Sequence, residues 1–103
     1  MVQDIFPQAI ANIEEDEFNT YDVIFQLLQI DHGHEYIGQL ISFEHYDDPF
    51  RQFHSFIGKE LNRLSQQLSI EMITDIEGIP SKDALTSIRN TPTRAQLWRK
   101  VRI

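Results

Sequence analysis

The sequence contains no cysteine, and only four glycines and four prolines occur among its 103 residues. Without cysteine, disulfide bonds, thiolate nucleophiles and cysteine-ligated zinc sites are all excluded. No run approaches the ~18–20 apolar residues that a membrane-spanning helix requires. The first residues lack the basic segment and apolar run of a signal peptide. We therefore expect a cytoplasmic protein without a membrane partner.

The motifs of common enzyme classes are also missing. There is no Gly-rich phosphate loop, no Gly-x-Ser-x-Gly nucleophile elbow and no His-Glu-x-x-His metal motif. Neighbouring acids such as Glu14 and Glu15 are more typical of a solvated surface than of a general acid and base. The sequence therefore predicts a protein that is not an enzyme, with no catalytic residue and no cofactor.

The residues that are present suit an ordinary folded domain, with 41% hydrophobic and 24% charged side chains. A chain of 103 residues has room for one hydrophobic core. No repeat or low-complexity linker divides it. We expect a single domain over residues 1–103.

Charge is distributed unevenly along the chain, whose net charge is -7. Residues 1–50 contain eleven Asp or Glu and no Lys or Arg, whereas residues 51–103 contain nine Lys or Arg and five Asp or Glu. Three interpretations are open. The two halves pair within one chain, or they pair between two copies, or the basic half binds an anionic partner.

Apolar side chains three and four residues apart predict helices over much of the chain. The predicted helices cover residues 3–15, run from a cap at Asn19 or Thr20 to Gly33, extend from His34 to His45, and follow Asp48-Pro49 for about 19 residues. In the third helix we expect Ile37, Leu40 and Ile41 to be buried. In the fourth helix we expect Ile57, Leu61 and Leu64 to be nearly fully buried.

The pattern changes after Leu68, where a β-branched segment predicts a strand over residues 70–74. Residues 84–88 fit either a helical turn or an extended segment, and residues 90–93 fit a turn. A closing strand over residues 96–103, with Leu97, Val101 and Ile103 on one face, is expected to pair with the first strand. The predicted fold class is mainly α with a small β-ribbon (α+β), in which three to four helices precede a two-stranded antiparallel hairpin. By analogy, that order is winged-helix-like.

Three groups of short segments resemble a loose group of small uncharacterised bacterial orphan proteins carried on mobile elements such as integron cassettes. The segments are Phe18–Ile24, then Phe56–Leu61 with Leu68–Ile70, and finally Thr91–Arg94 with Leu97–Lys100. They occur in the order expected for that group. The resemblance implies a winged-helix-like fold and carries no implication about activity.

The histidines cluster in one part of the sequence, among carboxylates, at His32, His34, His45 and His54. Imidazole and carboxylate are the ligands that zinc, nickel or iron would use without cysteine. On one helix His34 and His45 would stand about 16 Å apart, at ~1.5 Å per residue, which is too far for one metal. His45, Asp47 or Asp48 and His54 could converge across Pro49. No metal ligand is assigned from the sequence, and a His/carboxylate metal-binding protein is the second alternative.

The first alternative function is nucleic-acid binding by the basic half in a winged-helix arrangement. The helix after Pro49 would enter a groove, and the hairpin would form the wing. The candidate residues are the Lys and Arg side chains Arg51, Lys59, Arg63, Lys82, Arg89, Arg94, Arg99, Lys100 and Arg102. The net charge and a sequence pI near 4.9 oppose this function.

The preferred function is a non-catalytic protein interaction module that associates with itself, most simply as a homodimer. A helix in so small a domain buries one face, so aromatic residues beside the core stripes predict a partner surface. The candidate interface residues are Tyr21, Phe25, Tyr36, Phe43, Tyr46 and Phe56. A core that wraps more widely around the helices is the competing explanation for the same residues.

Overall fold

The computed structural model of the chain describes residues 1–87 and 89–102. Within these residues four helices and four strands are present: α1 (Phe6–Asn12), β1 (Glu17–Asn19), α2 (Thr20–Gln29), α3 (His34–Ile41), α4 (Pro49–Arg63), β2 (Ile70–Met72), β3 (Lys82–Thr86) and β4 (Pro92–Lys100). The predicted α+β class is confirmed, whereas the winged-helix organisation remains a prediction. Ile88 and Ile103, which entered the predictions for the 84–88 segment and the closing strand, lie outside the described residues.

The first predicted helix is shorter than expected. A 3-10 turn at Val2–Ile5 leads into α1, which ends at Asn12. The acidic residues 14–17 follow α1, and the last of them, Glu17, begins β1. Phe18 in β1 is only 2% exposed, so pairing with β4 brings this side chain into the core.

Helix α2 begins at the predicted cap. The Asn19 side chain accepts a hydrogen bond from the Asp22 backbone N–H at 2.9 Å, and the Asp22 carboxylate accepts one from the Asn19 N–H at 2.8 Å. This reciprocal capping box satisfies two N–H groups that the helix leaves unpaired. Beyond α2, Gly33 adopts φ 76°, and a Cβ on Gly33 would lie 3.0 Å from the Leu28 carbonyl oxygen. Helix α2 thus ends at Gln29, before the predicted stop, and the chain turns through left-handed conformations at Asp31, His32 and Gly33, the last of which has no room for a side chain.

The prediction for the buried face of α3 is wrong for two of its three residues. Ile37 and Ile41 are 51% and 59% exposed, and Leu40 is partly buried. Tyr36 is buried instead: its ring packs against Phe53, with 5.1 Å between ring centres, and its hydroxyl group has a hydrogen-bond partner on α4 that offsets the cost of burying it. The helix also ends at Ile41, and the predicted last turn is a series of non-helical turns.

The fourth predicted helix is confirmed, although it divides near its end. Asp48 caps α4 by accepting a hydrogen bond from the Arg51 N–H at 3.3 Å, and Pro49 occupies the first turn. Ile57 and Leu61 are 0% exposed, as predicted, while Leu64 is only partly buried. Leu64 leaves the helical conformation, and a separate helical turn, Ser65–Leu68, follows.

The sheet has four strands rather than the predicted two. Strand β4 lies in the middle, and β1 and β2 pair with it from opposite sides. The Leu97 carbonyl oxygen of β4 accepts a hydrogen bond from the Ile73 N–H, and the Leu97 N–H donates to the Ser81 carbonyl oxygen. β3 therefore pairs with β4 on the same side as β2, farther along the strand. The segment at 84–88 is thus extended in its described part. The closing strand starts earlier than predicted, at Pro92, and buries Trp98, whereas Val101 is exposed.

The acidic and basic halves of the chain pair in part. From the basic half, Arg99 binds Glu17 of the acidic half as well as Glu71 of its own half, and Arg102 binds Asp16 of the acidic half at 2.6 Å. The Arg102 guanidinium beside Asp16 lowers the pKa of that carboxyl group. These contacts tie β4 to β1 and β2 at one end of the sheet. Among the described residues, no helix is long and apolar enough to cross a membrane.

Candidate functional site

A groove of about 940 Å³ lies between α4 and the β3–β4 hairpin. One wall is the polar face of α4, where Arg51, Ser55, Gly58, Lys59 and Asn62 line the groove. These residues are three and four positions apart, or adjacent, so they share one side of the helix. The opposite face of α4 carries Phe53, Ile57 and Leu61 in the core. The buried face of α4 thus fixes the helix to the core, and its polar face is directed toward the groove.

The second wall is the β3–β4 hairpin, whose register places Lys82 opposite Gln96 and Ala84 opposite Arg94. Side chains alternate between the two faces of a sheet, so Lys82 and Arg94 are diagonal neighbours on one face. Both residues line the groove. Cations therefore face the groove from the helix and from the hairpin.

Most of the basic residues that line this groove have no acidic partner among the described residues. Arg51, Lys59, Lys82 and Arg94 form no salt bridge with any carboxylate within residues 1–87 and 89–102, and all four line the groove. Away from the groove, Arg63 binds Glu60 and Lys100 donates to the Ile13 carbonyl oxygen. Salt bridges thus compensate the charges of Arg63, Arg99 and Arg102 outside the groove, whereas four cations inside the groove have no acidic partner among the described residues.

The fifth cation of the groove, Arg89, lies at the tip of the hairpin. Its guanidinium donates to the Asp48 carboxylate at 3.0 Å and lies 5.3 Å from the centre of the Phe50 ring. The tip is shaped by Ser87, whose hydroxyl contacts that of Thr91 at 2.7 Å. Arg89 lowers the pKa of Asp48, the one carboxylate among the described residues that line the groove. The hairpin tip is therefore anchored at the start of α4.

At the floor of the groove, which His54 and Tyr21 help to line, each ring nitrogen of His54 contacts a tyrosine hydroxyl group from another helix. His54 Nδ1 lies 3.0 Å from the Tyr21 hydroxyl oxygen, and His54 Nε2 lies 2.7 Å from the Tyr36 hydroxyl oxygen. A neutral imidazole satisfies both, because one nitrogen donates and the other accepts. Burial, and to a smaller extent Arg89, lower the pKa of His54 to about 4, and burial raises the pKa of both tyrosines. At neutral pH this cluster is uncharged and links α2, α3 and α4.

Gly58 forms a depression in the middle of the helical wall. Its nearest neighbour outside the helix backbone would be Thr20 Cγ2, 3.9 Å from an added Cβ, which is an ordinary van der Waals distance. Glycine inside a helix costs about 0.5–1 kcal/mol relative to alanine. The missing side chain therefore leaves a small depression in the wall, at the expense of helix stability.

We expect Gly58→Ala to raise the free energy of unfolding by about 0.5–1 kcal/mol, because alanine fits the space and favours the helix. Urea denaturation followed by circular dichroism measures the change. Gly38→Ala on α3, where no atom lies within 4 Å of an added Cβ, should give a similar gain. A loss of stability in Gly58→Ala alone would show that the wall at Gly58 is more tightly packed than described.

The structure divides the predicted nucleic-acid residues into two sets. Five of them line the groove: Arg51, Lys59, Lys82, Arg89 and Arg94. Arg63 pairs along α4 and does not line the groove, and Arg99, Lys100 and Arg102 lie at the far end of β4 with partners from residues 13–17 and 71. The sequence therefore identified the cations but not which of them line the groove.

The predicted interface residues are also divided, and the wider core accounts for most of them. Tyr21 and Tyr36 are buried by their contacts with His54, so the prediction that they form a partner surface is wrong. Phe43 and Phe56 are partly buried and pack with each other, their ring centres 5.5 Å apart. Only two of the six are exposed: Phe25 at 44% and Tyr46 at 42%.

The histidine cluster of the sequence does not form a shared site. Both ring nitrogens of His54 are occupied by tyrosine hydroxyl groups, so His54 does not converge with His45 and the acids before Pro49. His34 lies 3.7 Å from Asp31, and both side chains are exposed. Among residues 1–87 and 89–102, no group of three or more histidine or acidic side chains is arranged to hold a metal ion.

Comparisons of the chain with protein-family models, curated proteins and solved structures found no significant match. The resemblance to integron-cassette proteins therefore remains a prediction. Two residues of the site, His54 as a helix link and Gly58 as a depression, were not singled out in these roles from the sequence. The sequence signal that could have drawn attention to Gly58 is a glycine at the centre of an otherwise strong helical pattern.

Proposed function

We propose that the protein binds the sugar-phosphate backbone of nucleic acid in the groove between α4 and the β3–β4 hairpin. The observation that carries this proposal is the position of Arg51, Lys59, Lys82 and Arg94. These cations lack a carboxylate partner among the described residues, and all of them line the same groove. Phosphate neutralisation by such side chains is the main source of sequence-independent affinity for nucleic acids.

The other groups of the groove also suit this ligand. Hydroxyl and amide side chains, among them Ser55, Asn62 and Thr93, lie between the cations. Such groups donate hydrogen bonds to phosphate and sugar oxygens. Arg89 and Phe50 add a guanidinium plane and an aromatic ring at one end, and both are surfaces on which bases stack.

The net charge of -7 opposes this function at long range, but the local balance does not. Five cations and one carboxylate, Asp48, are found among the described residues that line the groove. At physiological ionic strength exposed charges are screened beyond about 8 Å. A phosphate inside the groove therefore responds mainly to the nearby cations, and association should be slower than for a basic protein.

Two cations on opposite walls provide the test. We expect Lys59→Ala/Arg94→Ala to weaken binding of a fluorescent mixed-sequence oligonucleotide and to flatten the slope of log affinity against log salt. Each lost contact changes this slope by about 0.7 for a single strand and about 0.9 for a duplex. The double change should therefore flatten it by about 1.4–1.8. Fluorescence anisotropy across a salt series measures both quantities.

The matched control is Arg63→Ala/Arg102→Ala, which removes the same charge from exposed positions outside the groove. It should leave the slope nearly unchanged. Equal weakening by both pairs would show that only overall charge matters, and displacement by polyglutamate as effective as by oligonucleotide would point to an acidic protein partner. No binding at about 50 mM salt, with a solution mass of two chains, would favour the self-associating interaction module instead.

A further inference from the structure

The β3–β4 hairpin faces the polar side of α4 across the groove, and this side of α4 would read a duplex in a winged-helix arrangement. Thr91, Pro92 and Thr93 of the hairpin line the same groove as Arg51 and Ser55 of the helix. The hairpin tip also reaches the first turn of α4, where Arg89 contacts Asp48 and Phe50. The polar face of α4 is therefore the wall of a cleft rather than a projecting ridge.

This arrangement conflicts with the geometry of duplex binding. An α-helix with its side chains is about 10–12 Å across, and the major groove of B-DNA is about 12 Å wide. A helix that enters that groove needs its reading face free of any second element. Here the hairpin forms the other wall of the groove that α4 lines, and its tip is held to the start of α4, so this face of α4 is not free on all sides as duplex reading requires.

A single strand has no such restriction, and the groove offers what it requires. Cations from both walls can follow one backbone, while Arg89 and Phe50 provide stacking surfaces. Gly58 leaves the helical wall without a side chain midway between Arg51 and Asn62, so a strand can approach the helix backbone closely. We propose, on the basis of the nucleic-acid function above, that the groove selects single-stranded over double-stranded nucleic acid.

The full chain should bind a mixed-sequence single strand of about 12 nucleotides more tightly than the blunt duplex of the same sequence, by about tenfold or more. The salt slope should be near -3, because each of the four free cations contributes about -0.7 on a single strand. Fluorescence anisotropy with each labelled form provides both numbers. Equal or tighter binding of the duplex would overturn the single-strand inference and leave the nucleic-acid function standing, whereas no binding of either form would overturn both.

Filling the depression in the groove tests the site itself without any change in charge. Gly58→Leu should weaken single-strand binding by about tenfold, whereas Gly38→Leu on α3 should not change it. If Gly58→Leu does not fold, Ser55→Leu on the same wall replaces it. Gln52→Leu, which is exposed on α4 outside the groove, is then the matched control. Unchanged single-strand affinity in the folded groove variant would overturn the inference that the strand lies in this groove.

Discussion

Leu61→Ala is expected to lower the free energy of unfolding by about 2–5 kcal/mol, as leucine-to-alanine changes in a packed core do. Leu61 is 0% exposed and lies one turn after Ile57 on the buried stripe of α4. The truncated side chain loses its transfer free energy and leaves a cavity that the surrounding helices fill only in part. Urea denaturation followed by circular dichroism and tryptophan fluorescence measures the loss.

Ile37→Ala is the matched control for this change. Ile37 is as apolar as Leu61 and also lies on a helix, but it is 51% exposed. Its removal should change stability by no more than about 0.5 kcal/mol. A cost below about 0.5 kcal/mol for Leu61→Ala, or a larger cost for Ile37→Ala than for Leu61→Ala, would mean that the buried faces of α3 and α4 are wrongly assigned.

Helices α2 and α4 were predictable because their signals are local. Asn19 and Asp22 are three residues apart, and the side chain of each accepts a hydrogen bond from the backbone N–H of the other. This cap of α2 is independent of the rest of the fold. Asp48 and Pro49 do the same for α4, and the apolar stripe from Phe53 to Leu61 repeats over several turns. Such signals remain valid whatever packs against the helix.

The orientation of α3 and the existence of β1 depend on residues that are distant in sequence. The local pattern therefore predicted the wrong buried face for α3 and did not predict β1. The apolar stripe of α3 predicted that Ile37 and Ile41 face the core, but Tyr36 faces it because His54 offers a hydrogen bond there. β1 is three residues long and becomes a strand only through pairing with β4, about 80 residues later. Tertiary pairing overrides local periodicity in both cases.

The groove was predictable only in part, for the same reason. Its cations were identified as a basic half of the chain, but the sequence contains no sign of which ones find acidic partners. That division depends on strand register, which places Arg99 between Glu17 and Glu71 and leaves Arg94 facing α4. Charge counting along the chain cannot reveal register, because the partners are far apart in sequence.

Acidification is expected to destabilise the protein well before its carboxylates titrate, and His54 is the reason. The pKa of His54 is lowered from 6.5 to about 4 in the folded state. Between pH 6.5 and pH 4, His54 is therefore protonated in the unfolded chain but not in the folded chain. The free energy of unfolding falls as the pH falls through this window. Since one pKa unit corresponds to about 1.4 kcal/mol, the loss approaches about 3 kcal/mol near pH 4.

Urea denaturation at intervals from pH 7.5 to pH 4.5 measures this dependence. The pKa values of Asp16 and Asp48 are lowered by Arg102 and Arg89, so these carboxylates also lose stabilisation as the pH falls. Their effect lies below the ordinary carboxyl pKa of 3.8 and does not obscure that of His54.

His54→Gln keeps a hydrogen-bonding side chain that cannot titrate and should give a nearly flat profile above pH 5. His45→Gln, at an exposed position, should keep the wild-type slope. A wild-type profile that is flat from pH 7 to pH 5 would show that His54 is solvated, and the link between α2, α3 and α4 would then be open to water rather than shielded at the floor of the groove.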